Sequence, residues 1–95
     1  ELWFSVASAW ELVIKSHVGK LTLPEAVTEY IPSRLSWYAI QSLPIEMRHV
    51  LGVAELPLHH RDPFDRLLAA QSRLENLPIV TADPRVVQYQ VETIW

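Results

Sequence analysis

The dipeptide aspartate-proline, present twice with a helical period and a short apolar run between, is the strongest constraint on this chain. In His59-His60-Arg61-Asp62-Pro63-Phe64-Asp65-Arg66-Leu67-Leu68-Ala69-Ala70-Gln71, Asp62 is a natural N-cap. Pro63 then takes the first helical position, where an N–H would have no intrahelical partner anyway. Phe64, Leu67, Leu68, Gln71 and Leu74 recur at the helical period and predict one face of a helix running to about Asn76. Leu77 to Thr81 reads as a buried strand, and Asp83-Pro84 starts a second, short helix to about Gln88.

Upstream the same alternation continues. Glu1 to Val6 is apolar and β-prone. From about Ser8 a helical period runs through Trp10, Val13, Ile14, His17 and Val18 and stops at Gly19. After the extended link Lys20-Leu21-Thr22-Leu23, Pro24 opens a helix to about Leu35 that buries Ala26, Val27, Tyr30 and Ile31, with Pro32 a potential early stop. Tyr38 to Leu43 is a strand that Pro44 ends. Glu46 to Val53 is a short helix, and Thr93-Ile94-Trp95 is a final edge strand. Strands alternating with helices predict an α/β fold, a mostly parallel sheet flanked by helices, in one domain over residues 1–95. Trp10, Trp37 and Phe64 are assigned to the core, and Trp3 and Trp95 to partly exposed sites near the chain ends.

Composition narrows the chemistry. With no cysteine, neither a disulfide framework nor a thiolate metal site is available, which fits a reducing cytoplasm. No apolar run reaches the roughly 20 residues of a membrane span. The net charge of −3 gives no basic footprint for nucleic acid, so any attraction to phosphate must be supplied locally, by bound cations.

Four acids stand at helix starts, and each has a structural reading of its own. Ser8-x-x-Glu11 matches a capping box. Asp62 caps, and Asp65 at the third helical position is stabilised by the helix dipole. Asp83 precedes Pro84 in the same way as Asp62 precedes Pro63. The set is less easily explained than its members. In parallel α/β sheets, ligand sites form where strands end and helices begin, so these helix starts can converge. Two carboxylates about 4 Å apart repel by roughly 4 kcal/mol at an effective dielectric of about 20, and a divalent cation offsets that cost. Oxygen-only donors favour Mg²⁺ or Mn²⁺ over zinc. Adjacent His59 and His60 on an extended loop point to opposite sides, which disfavours a zinc site; solvent exposure, or a place at a substrate groove or partner surface, suits them better. Arg61 and Arg66 flank the acids and can touch phosphate or form surface ion pairs. Lys15 can pair with Glu11 at i,i+4 or meet substrate, and Thr81 can steady the Asp83 carboxylate or a metal-bound water.

The blocks Ser5-Val6-Ala7-Ser8-Ala9-Trp10-Glu11-Leu12 to Gly19-Lys20-Leu21, His60 to Gln71, and Ile79-Val80-Thr81-Ala82-Asp83 resemble, in order, the PIN-domain family, and within it the VapC-type toxins of toxin–antitoxin pairs. The resemblance implies a parallel α/β sheet and Mg²⁺-dependent endoribonuclease activity. It implies acidic active-site positions at Glu11, Asp65 and Asp83, with Thr81 the polar residue near the last acid and Asp62 in the same motif as a cap. It implies a small antitoxin whose tail blocks the site, and homodimers are common in the family. It also implies a preceding strand with a first catalytic Asp, a unit of roughly 30 residues that residues 1–95 do not include, so they correspond to the C-terminal portion of the domain. The expectation is therefore an RNA-cleaving toxin. The alternative is a catalytically inactive remnant acting as a binding or assembly module, whose open sheet edge invites pairing.

Overall fold

The computed structural model describes residues 2–57 and 62–77. The described elements are β1 (Leu2–Ser5), α1 (Val6–His17), α2 (Val27–Trp37), β2 (Ile40–Leu43), α3 (Met47–Gly52), a 3-10 turn (Val53–Glu55) and α4 (Pro63–Glu75). β1 and β2 pair in parallel, Leu2 opposite Ile40 through Ser5 opposite Leu43. Parallel pairing requires a crossover, which α1 and α2 provide. The result is the expected α/β architecture: a short parallel sheet flanked by helices. The strand from Leu77 to Thr81, the helix after Asp83 and the edge strand at Thr93 lie wholly or mostly outside the described residues.

Helix ends follow the local chemistry. At α4, Asp62 Oδ1 accepts from the backbone N–H groups of Phe64 (2.9 Å) and Asp65 (3.2 Å), as a cap ahead of a first-turn proline should. Asn76 closes the helix in the left-handed region at φ 54°, and Ser72 Oγ donates to the Leu77 carbonyl at 2.8 Å. At the end of α1, Gly19 sits at φ 77°, Lys20 N–H donates to the Lys15 carbonyl (3.0 Å) and Gly19 N–H to the Ser16 carbonyl (3.4 Å), the paired bonds of a Schellman stop.

Three boundaries differ from the sequence reading. α1 begins at Val6, directly off the strand, and its cap is Ser5, whose Oγ accepts from Ala7 N–H at 3.0 Å. Ser8 is therefore inside the first turn and Glu11 in the second, so the Ser8–Glu11 capping box does not form. α2 starts at Val27 rather than Pro24 and runs through Pro32 to Trp37, burying no residue fully. A proline six positions into a helix removes one backbone hydrogen bond. An Arg34 guanidinium stacked 4.5 Å over Tyr30 and 4.8 Å over Trp37 braces the same stretch. Tyr38 caps α2 and does not begin β2, because Ala39 takes φ 53° before the strand starts at Ile40.

The core is organised on α4. One side packs Leu68 against Ala7 of α1, joined by Ile45, Phe64 and Leu67. The other packs Ala69 and Ala70 against Leu56 and Val53. Small residues at 69 and 70 suit a helix covered on two sides. At Gly52 an added Cβ would stand 2.9 Å from Leu74 Cδ1, so α3 approaches α4 closely there. Leu74 itself is half exposed. Trp10 and Trp37 are 58% and 73% exposed and do not belong to the core. Trp10 leans edge-on against Phe64 (centroids 5.1 Å apart), past the first turn of α4, and Trp37 sits at the end of a helix with no buried face. Trp3 is half-buried.

Ala39 gives a direct test of the backbone. A left-handed alanine costs about 1–2 kcal/mol, and glycine's extra unfolded-state entropy recovers about half of that. Ala39→Gly is expected to raise unfolding stability by about 0.5–1 kcal/mol, read as a higher urea midpoint at unchanged slope.

Candidate metal centre and the polar network beside it

Three contacts define how α1 faces α4. Ser5, the last residue of β1, donates its hydroxyl to Gln71 Oε1. Ala7 packs on Leu68, and Trp10 meets Phe64. Each step forward along α1 is matched by a step back along α4, so the two helices run antiparallel. Glu11 lies six residues on from Ser5, and Asp65 six residues back from Gln71. The ladder thus sets Glu11 and Asp65 at the same level. Both also fall on the facing stripes: Ala7, Trp10 and Glu11 on one helix, Asp65, Leu68 and Gln71 on the other.

Asp65 is 1% exposed at the third position of α4, where the helix dipole favours its negative charge. Glu11 is half-buried and paired with Lys15 Nζ at 3.2 Å. The structure thus gives Glu11 the i,i+4 partner that the sequence suggested. Asp62 serves as the cap. Arg66 is half-buried, and its Nη2 donates to the Val53 carbonyl at 3.2 Å, which ties α4 to the 3-10 turn. Thr81, Asp83, Arg61, His59 and His60 lie outside the described residues. Carboxylates such as these offer only oxygen donors, the type that suits Mg²⁺ or Mn²⁺.

A second cluster, which the sequence did not single out, occupies the other end of α4. Glu46, His49 and Glu75 bring one donor atom each to within 4.8 Å of one another. Glu75 lies ten residues after Asp65, about 15 Å along the helix axis, so this is a separate place. Its only sequence trace is Glu46-x-x-His49 at the start of a short helix. A metal ion does not fit it well, for two reasons. Arg48 already bridges both carboxylates, Nε to Glu46 Oε1 at 2.8 Å and Nη2 to Glu75. His49 is also held in the wrong tautomer. Its Nδ1 accepts the Glu46 backbone N–H at 2.9 Å, so the ring proton is on Nε2, which donates to Glu75 Oε2 at 2.7 Å. Ligation through Nε2 would move that proton to Nδ1, facing an N–H donor. Metal-bound histidines instead donate their second ring N–H to an acceptor.

The two polar systems meet at Gln71, which is fully buried. Its Nε2 donates to the Pro44 carbonyl, just beyond β2, at 3.1 Å and lies 3.3 Å from His49 Nδ1. One amide therefore joins the C-terminal ends of both strands to α4. Among the described residues, no helix is long and apolar enough to cross a membrane.

The family model described as PIN domain matches residues 1–92 of this chain. No curated protein matches it.

The two clusters separate experimentally. Millimolar Mg²⁺ is expected to raise the melting temperature, and that rise is expected to survive Glu75→Gln and to vanish in Asp65→Asn. Loss of the shift with Glu75→Gln would move the cation to the Glu46–His49–Glu75 trio.

Proposed function

The chain belongs to the PIN-domain family, and on that footing we propose that it is a Mg²⁺- or Mn²⁺-dependent endoribonuclease of the VapC toxin type, acting in the cytoplasm. PIN domains are typically metal-dependent nucleases; RNA as substrate and the toxin role are the finer reading. What supports it is the burial of Asp65 in the first turn of α4, six residues back from Gln71, while Glu11 lies six residues on from the Ser5 that Gln71 holds. With a net charge of −3, a cation bound by these acids would supply the local positive charge needed to meet phosphate.

In this reading Glu11, Asp65 and Asp83 hold one or two divalent cations, and Thr81 steadies the last acid. When bound, such a cation supplies positive charge at the scissile phosphate and activates water for attack. One carboxylate of the set accepts the proton that the attacking water releases. Lys15 bridges toward Glu11 and can pass to a substrate phosphate. Arg61 and Arg66 are further candidates for that contact, the Arg66 guanidinium also donating to the Val53 carbonyl. Asp62 shapes the site by starting α4 in the right frame.

A partner-binding role accompanies this reading, supported by exposed apolar residues spaced four apart along α1: Val6, Trp10, Ile14 and Val18. A small antitoxin or a second copy of the chain would cover such a stripe. The same surface supports the non-catalytic alternative, an assembly module. Sedimentation across a wide concentration range tests it: self-association is expected, and a concentration-independent monomer would count against a homodimer.

The catalytic reading is tested by cleavage of single-stranded RNA. Activity is expected to disappear with EDTA, to return with Mg²⁺ or Mn²⁺, and to fall at least about 100-fold in Asp65→Asn, as when one preorganised group is removed from a transition-state site. Cleavage that persists in EDTA or in Asp65→Asn would refute it.

A further inference from the structure

We propose that the Ser5 hydroxyl and the Gln71 amide are positioning residues of the acid centre, fixing the level at which Glu11 and Asp65 face each other. The inference rests on the reading of those two acids as metal ligands.

Ser5 does two things with one oxygen. Its lone pair accepts the Ala7 N–H at 3.0 Å and so starts α1, the helix that carries Glu11. Its proton goes to Gln71 Oε1 on α4, the helix that carries Asp65. Both side chains are buried, Ser5 at 2% exposure and Gln71 at 0%. The orientation of the amide is not arbitrary. Pro44 offers only a carbonyl, so Nε2 must face it, and Oε1 is left for Ser5. A single hydroxyl thereby joins the first turn of one acid-bearing helix to the middle of the other. The Pro44 contact anchors that join to the sheet.

The remaining contacts between the two helices do not supply this information. Ala7 on Leu68 and Trp10 on Phe64 are apolar, and apolar burial is non-directional. A small slide of α4 along α1 would change them little. Oxygen ligands of Mg²⁺, by contrast, must lie within a few tenths of an ångström of about 2.1 Å. From the clamp, each acid is six residues away on its own helix, about 9 Å along the axis. Two rigid arms of equal length, running the same way from one hydrogen bond, keep the carboxylates level. Releasing the bond frees the slide and spoils the cation site without touching either acid.

Mn²⁺ is the probe, with its binding to the full chain followed by electron paramagnetic resonance of the free ion, well below each variant's melting temperature. Ser5→Ala and Gln71→Met each are expected to weaken Mn²⁺ binding about 10- to 100-fold, the range found when outer-shell partners are removed. Ser5→Thr keeps a hydroxyl for both bonds and is expected to stay within about twofold of the parent, since that outer-shell partner is retained. Leu56→Ala, which opens the core on the other side of α4, controls for lost stability and is expected to leave affinity unchanged. Should Ser5→Ala fail to fold, Gln71→Met carries the same comparison. Parent-like affinity in folded Ser5→Ala and Gln71→Met, with loss in Asp65→Asn, overturns the positioning role alone. Affinity retained in Asp65→Asn, or no Mn²⁺ binding by the parent chain, removes the acid centre and the positioning role with it.

Discussion

The side-chain amide of Gln71 is the interaction on which the rest of the described structure depends. It is buried in the middle of α4, where an unsatisfied amide would cost about 1–3 kcal/mol for each lost partner. Both ends are satisfied by groups that belong to the sheet, the Ser5 hydroxyl at the end of β1 and the Pro44 carbonyl just past β2. A leucine at this position would bury as much surface and fix nothing. With glutamine, α4 has one acceptable depth and one acceptable height relative to the strand ends. Helix α1 inherits the same frame, because its own cap is the serine that Gln71 holds.

Such fixation matters to the two strands among the described residues. Each is four residues long, and a pair that short has little lateral pairing of its own and depends on packing against other elements. Here the packing comes from α4, buried on opposite sides by Ala7 and Ile45 and by Leu56 and Val53. Ala69 and Ala70 keep it narrow enough to be covered twice, and Gly52 lets α3 come close beside Leu74. The helix that closes the core is therefore also the helix that presents Asp65, so the stability of the domain and the geometry of its acids are set by the same element.

What the sequence disclosed follows from how local each signal is. α4 was legible almost residue by residue, since Asp62, Pro63 and Asn76 act on their own backbone and immediate neighbours. The stop at Gly19 was legible for the same reason. The start of α1 was not: Ser5 and Ser8 are equally good caps on paper, and the choice falls to Ser5 because a residue 66 positions away takes its proton. That choice moves Glu11 from the first turn to the second and removes the capping role that would have explained it away. The exposure of Trp10 and Trp37 was hidden as well, because a helical period says which side of a helix is apolar and not whether another element reaches it. Glu46, His49 and Glu75 were invisible for a third reason. Their grouping needs α3 folded back on the end of α4.

That last group shows why a list of donor atoms does not define a metal site. Counting ligands alone, Glu46, His49 and Glu75 are the better case, with a histidine and two carboxylates already in reach of one another. Hydrogen positions reverse the ranking. The N–H of Glu46 assigns the tautomer of His49, the ring then spends its one proton on Glu75, and Arg48 supplies the positive charge between the two carboxylates. Every polar demand in the trio is met from within the chain, and a cation would have to undo three of those bonds to enter. Glu11 and Asp65 stand the other way round. Glu11 holds an exposed lysine that can leave at little cost, since surface ion pairs are worth at most about 1 kcal/mol. Asp65 keeps a buried carboxylate at a helix N-terminus, where negative charge is favoured. At the C-terminal end of α4 the protein has placed its own cation, Arg48, between the two carboxylates; the N-terminal end, with Asp65 buried in its first turn, is where we propose that a cation from solution binds.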